Sequence, residues 1–208
     1  MNKISKIVLT LTAMLAAGCA ENVSAPTAAA TKDVTIAGGG ATAALTTTDT
    51  IRFTFVIDPS RTTVYSLGAG NSITFPAGSL CATWSTYGGG QWDKPCSVSP
   101  YPVTVYTKAW LDSDGYAHVD FDKHVRFVPT SNPEGWVMLS LADYGAATAP
   151  WTKINYCPSA MAQSGCIDES KSDATVATMK DPVTGKLIRR VKHFSGYSLT
   201  SGRDSESF

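Results

Sequence analysis

Charge is scarce in this chain. Charged residues make up 16% of its 208 positions, and 17 basic side chains are matched by 17 acidic ones. No basic stripe argues for nucleic acid, and no acidic run argues for a cationic partner. Histidine is scarcer still, with three in the whole sequence. No nucleophile elbow, P-loop, HExxH or CxxC spacing occurs, which argues against a conventional hydrolase. Long helical periodicity is missing, and no internal repeat is visible. What is plentiful is Thr, Ser, Ala and Gly, with 43% hydrophobic residues. That composition suits one core built from short strands and many turns.

The opening residues read as an export signal. Lys3 and Lys6 supply a positive start, and residues 7–15 form an apolar stretch too short to span a bilayer comfortably. Ala16-Ala17-Gly18-Cys19 then resembles a bacterial lipobox, with small residues for the signal peptidase and a thiol to be acylated. The commonest pattern has Leu at the place Ala16 occupies; here Leu15 stands just before it. The expectation is a signal peptide over residues 1–18 and a membrane-anchoring lipid on Cys19. Plain secretion with a later cut, to a periplasmic or secreted protein, is the alternative, and an uncleaved anchor is the third reading. Ala20 follows where some inner-membrane lipoproteins carry Asp, so the outer membrane is the expected address.

With Cys19 assigned to lipid, Cys81, Cys96, Cys157 and Cys166 remain, and four thiols allow three connectivities. The spacing favours Cys81–Cys96 and Cys157–Cys166, each closing a short loop between predicted strands. A loop of about fifteen residues is worth roughly 3 kcal/mol in the chain-entropy account. Such bonds persist only in an oxidising compartment. Four reduced, buried thiols are the competing reading.

Residues 19–48 look like a tether. They carry few bulky apolar side chains and include Gly38-Gly39-Gly40, so they bury too little surface to offset their ordering entropy. A short strand is possible at Val34-Thr35-Ile36. The folded domain is expected over residues 49–200, with a polar tail at 201–208. Ile51, Phe53, Phe55 and Ile57 alternate on one face of the first strand. Strands are predicted over 62–67, 72–80 (broken at Pro76), 103–111, 116–121, 125–129, 136–141, 175–179 and 186–193. Residues 142–173 read as irregular. The last apolar stretch, 190–200, alternates Val191, His193, Ser195, Tyr197 and Leu199 against Lys192, Phe194, Gly196, Ser198 and Thr200, and reads as one closing strand. About eight to ten short strands with turn signals predict an all-β, antiparallel β-sandwich with two disulfide-closed loops.

Several motifs carry a resemblance. Ile73-Thr74-Phe75-Pro76-Ala77-Gly78-Ser79-Leu80 resembles the opening of ZU5-type modules. Val119-Asp120-Phe121, followed by Val125-Arg126-Phe127-Val128-Pro129, is similar to their middle, and His193-Phe194-Ser195-Gly196-Tyr197 looks like their closing strand. The chain also resembles uncharacterised bacterial exported proteins with the same closing HFSGY, here residues 193–197. The likeness spans residues 51–200 and implies an Ig-like β-sandwich scaffold, usually for protein interaction. Two disulfide loops and the 142–173 insert depart from the pattern, so the partners of eukaryotic ZU5 modules do not transfer. Some relatives cut their own chain at His-Phe-Ser, the tripeptide found here at His193, Phe194 and Ser195.

Self-cleavage there would be an N-to-O acyl shift. Ser195 Oγ would attack the Phe194 carbonyl with help from a nearby base or strained backbone, His193 would polarise the bond or accept the proton, and water would hydrolyse the ester. A regular strand would not strain that bond, so a plain closing strand with Phe194 buried is the competing reading. His118, Asp120, Asp122 and His124 share one parity and would offer a transition-metal ligand set on an unbroken strand. Asp122-Lys123 reads as a turn that scatters them, leaving ordinary polar alternation and no expected metal. Asp112-Ser113-Asp114-Gly115 resembles the start of a calcium loop, but Lys123 stands where the closing Glu belongs, so a hairpin turn is expected. Trp84, Tyr87 and Trp92 sit in the Gly-rich Cys81–Cys96 loop and form a candidate sugar or peptide platform; a loop folded over an open sheet edge is the bland counterpart.

The expected function is therefore a non-enzymatic interaction module on an exported, lipid-anchored envelope protein. It has no cofactor and no nucleic acid, and its partner is an unidentified protein or glycan. Self-processing at Phe194-Ser195 and carbohydrate binding through the Cys81–Cys96 loop are the alternatives.

Overall fold

Alternation in the sequence becomes alternation in space along the first strand. In β1 (Thr50–Ile57), Phe53, Phe55 and Ile57 are buried while Arg52 and Val56 face solvent. Its whole length pairs antiparallel with β4 (Val103–Leu111), from Thr50↔Trp110 to Ile57↔Val103. The structure, a computed structural model, describes residues 50–112, 115–142, 152–158 and 165–201. The expected signal peptide, Cys19, the tether with Val34-Thr35-Ile36, and Ser113 and Asp114 lie outside the described residues, as do 143–151, 159–164 and the tail from 202.

Eight further strands complete the fold. They are β2 (Thr63–Gly68), β3 (Asn71–Phe75), β5 (Ala117–Phe121), β6 (Met138–Leu141), β7 (Thr152–Cys157), β8 (Met179–Lys180), β9 (Leu187–Arg190) and β10 (Gly196–Ser201). They form two five-stranded antiparallel sheets, ordered β1-β4-β5-β10-β7 and β2-β3-β6-β9-β8. The inner faces pack as a β-sandwich. Both disulfides are formed with the expected connectivity, Cys81–Cys96 and Cys157–Cys166.

Aromatic rings fill the centre. Phe194 is 0% exposed and stacks on Phe121 at 4.2 Å, while Phe75 and Phe127 meet it edge-on at 5.8 and 5.0 Å. The two phenylalanines Phe121 and Phe75 come from opposite sheets, so this ring joins the halves of the sandwich.

Several expectations need correction. The stretch 190–200 is not one strand. β9 ends at Arg190 in one sheet, residues 191–195 cross over, and β10 begins at Gly196 in the other. Val191, Lys192, His193 and Phe194 are all buried, which no two-faced strand permits. Residues 125–129 make only isolated bridges, Leu80↔Phe127 and Arg126↔His193, because they line that crossover. Residues 174–176 form a 3-10 turn, leaving only Met179 and Lys180 to pair across the Asp181–Gly185 turn. The stretch read as irregular contains β7, whose Thr-Lys-Ile-Asn-Tyr-Cys run pairs with β10 through six residues. Pro76 stands immediately after β3, the strand end expected of a residue that cannot donate.

Candidate functional site

The crossover between sheets concentrates the polar chemistry of the molecule. β9 is an apolar strand carrying two adjacent arginines. Arg189 is 1% exposed, so its charge requires partners. Its Nη1 donates to the Ile154 carbonyl at 2.6 Å, its Nη2 pairs with Glu169 Oε2, and its guanidinium lies 5.5 Å from the Tyr197 ring centroid. Arg190 takes the other side, 4.6 Å over Trp136, with Nη2 donating to Thr130 O at 3.1 Å. Lys192, also buried, is claimed by two carboxylates, Asp173 and, at 2.5 Å, Asp93.

His193 is boxed in by rings. Trp92 lies parallel to it at 3.9 Å, Tyr156 meets it edge-on at 4.8 Å, and Tyr87 stands at 6.2 Å. Its Nε2 is 3.4 Å from Glu169 Oε1 and its Nδ1 is 3.4 Å from the Phe194 carbonyl oxygen. That carbonyl also accepts the Tyr87 hydroxyl. Tyr197 Oη donates to the His193 carbonyl at 2.7 Å, and Phe194 N–H donates to Val125 O at 2.8 Å. Ser195 is half-buried, and its carbonyl accepts from Phe121 N–H at 3.3 Å. Burial first, then Tyr156 and Glu169 nearby, push the Tyr87 phenol well above its usual range. Burial likewise raises Tyr197, against the opposing pull of Arg189.

The Cys81–Cys96 loop is the roof of this cluster. Arg126 fans into it from below, with Nη1 donating to Gln91 O at 2.5 Å and Lys94 O at 2.7 Å, and Nη2 to Pro95 O at 3.3 Å. Tyr87 and Trp92 turn inward onto His193, while Trp84 points away and is 67% exposed. The three rings therefore do not share one platform. The loop lays Tyr87 and Trp92 on the crossover of its own protein, not on an open sheet edge, and presents Trp84 to solvent.

The proposed metal set is dispersed. His118 is buried, with Nε2 2.9 Å from Asp112 Oδ2 and its ring on Trp110. β5 stops at Phe121, so Asp122 curls back and accepts the Tyr106 N–H at 2.7 Å. Asp120 stays on the outer sheet face, and His124 meets Tyr87 at 5.0 Å. Among the described residues no three His, Cys, Asp or Glu side chains are placed to hold a metal. Asp112 instead closes a turn, accepting Tyr116 N–H at 2.8 Å, with Gly115 at φ +82°.

Sequence reasoning missed Glu169, Arg126, Arg189 and the Asp93–Lys192–Asp173 bridge. One signal was available: Arg189 and Arg190 interrupt Leu187, Ile188 and Val191, and charge inside an apolar strand implies buried partners. Which acids supply them is a matter of tertiary packing. No protein family, no curated protein and no solved structure matches the chain.

Proposed function

We propose that this is an exported, lipid-anchored protein of the bacterial envelope, whose β-sandwich is a ZU5-like, non-enzymatic interaction module. Trp84 carries the reading. It stands exposed in a loop held by a disulfide, by the Arg126 fan and by the Asp93–Lys192 ion pair. A pre-ordered loop loses little entropy on association, and an exposed Trp brings large apolar area to a contact. Two disulfides suit an oxidising compartment, and Cys19 with the tether suits display from a membrane. A photo-crosslinking residue in place of Trp84 is expected to trap a discrete protein or glycan adduct in the native envelope. The same residue in place of exposed Val183, at the other end of β9, traps none. Equal labelling at both positions, or at neither, overturns the loop as contact face. Cys19→Ala is expected to release the protein from the membrane fraction.

One contact favours a second reading, self-cleavage between Phe194 and Ser195. The Tyr87 hydroxyl on the Phe194 carbonyl is a donor placed where negative charge would develop during attack by Ser195 Oγ. His193 adjoins the same carbonyl, and the peptide lies in the crossover rather than in a regular strand. Intact mass of the protein from its native envelope tests it. Two fragments meeting at Phe194-Ser195, lost in Ser195→Ala, would support cleavage; a single uncut chain sinks it.

A further inference from the structure

We propose that the outer face of β1, β4 and β5 is a binding site for an acidic saccharide, one whose sugars carry a carboxylate. This rests on the sheet face alone and not on the Trp84 loop. Across these strands Arg52 lies directly opposite Lys108, and Lys108 directly opposite Asp120. One step along the same face, Thr54 lies opposite Tyr106, whose ring is 57% exposed. Together with Asp122 these side chains line a groove of about 350 Å³.

Two cations opposed across neighbouring strands repel each other. Asp120 flanks only Lys108, and neither Arg52 nor Lys108 is in an ion pair among the described residues. An anion seated between them removes that repulsion and takes two charge-assisted hydrogen bonds. The groove also carries Asp120 and Asp122, the latter accepting the Tyr106 N–H on Oδ1 at 2.7 Å, so an anion gains only where it seats between Arg52 and Lys108. Residues two apart on a strand are about 7 Å apart. That separation matches a pyranose stacked on Tyr106 with its carboxylate reaching the Arg52–Lys108 pair. Asp120 then accepts from ring hydroxyls. A small inorganic anion would leave the tyrosine unused, and a purely acidic peptide such as polyglutamate has no flat apolar face to lay on it.

Calorimetric titration of the full chain tests the assignment, with a galacturonate trisaccharide as probe and a neutral galactose trisaccharide and polyglutamate as controls. The acidic sugar is expected to bind, and binding should weaken as salt rises. Tyr106→Ala, Arg52→Gln and Lys108→Met are each expected to weaken it about fivefold to tenfold. All three side chains are exposed, so an unchanged urea midpoint certifies the fold. Trp84→Ala should leave the affinity unchanged, which separates this site from the loop. The proposal is overturned by no binding, by equal binding of the neutral sugar or polyglutamate, or by loss in Trp84→Ala with Tyr106→Ala unaffected.

Discussion

The indole of Trp92 lies flat on the imidazole of His193, with centroids 3.9 Å and planes 21° apart. This contact ties a disulfide-closed loop to the segment where the chain changes sheets. Trp92→Ala is expected to cost about 2–3 kcal/mol, below the value for a fully buried Trp because the ring is half-buried. Trp84→Ala should stay within about 0.5 kcal/mol. Urea unfolding of both variants, followed by near-ultraviolet circular dichroism, makes the comparison; equal costs would show that the roof does not stabilise the crossover.

Glu169 serves Arg189 and His193 at once. Replacing it by Gln leaves a buried guanidinium without its carboxylate. The expected loss is about 3 kcal/mol, since breaking a buried pair costs more than the pair contributes. Arg189→Met, which removes the charge and keeps the volume, should cost less. Denaturant midpoints decide the order, and a milder Glu169→Gln would contradict it.

Stability is expected to fall at both pH extremes for separate reasons. Tyr87 and Tyr197 have folded pKa values raised by burial, so the folded state holds their protons more tightly. That contribution is complete below the ordinary phenol pKa of about 10 and is lost as pH climbs toward the folded values. Tyr87→Phe should flatten the alkaline limb. Burial raises Asp173, but hydrogen bonds from Lys192 and Thr175 outweigh it and hold the acid below 3.8. Its contribution is present above that value and is lost as pH falls through the folded pKa. Asp173→Asn should flatten the acid limb of a thermal-midpoint profile measured against pH.

Opening Cys81–Cys96 by Ala substitution of both cysteines is expected to cost roughly 3 kcal/mol, and opening the shorter Cys157–Cys166 loop roughly 2.5 kcal/mol. Only the first should raise tryptophan quenching by iodide, because only that loop carries Trp92 over His193.

The turn between β2 and β3 runs through three left-handed residues, Gly68 at φ +78°, Ala69 at +48° and Gly70 at +76°. Ala69→Gly should therefore stabilise by about 0.5 kcal/mol, the relief of a left-handed Cβ outweighing the added freedom of the unfolded chain. Gly68→Ala should destabilise, since φ +78° there strains an L side chain, and the new Cβ would also push on Ile51 Cδ1 at 2.8 Å. Thermal unfolding of the pair reads both signs.

Local pattern determined much of this protein. The alternation in β1 and β4, the stop at Pro76, the Asp112 and Asp181–Gly185 turns and the two short cysteine spacings are near-neighbour properties. Each is decided by side-chain parity, ring closure or turn chemistry, so the all-β sandwich and its staples were legible from the residues. β7 carried the same signal in Thr152, Ile154 and Tyr156 and was obscured by the irregular residues around it. Tertiary structure decided how the candidate residues are arranged and which partners surround them. Alternation cannot say that a strand ends halfway and passes to the opposite sheet, because parity looks alike on either sheet. Nor can it pair Arg189 with Glu169, Lys192 with Asp93 or Tyr87 with the Phe194 carbonyl, 107 positions away. Buried charge must find partners somewhere, and which ones it finds depends on where the folded chain brings distant segments together.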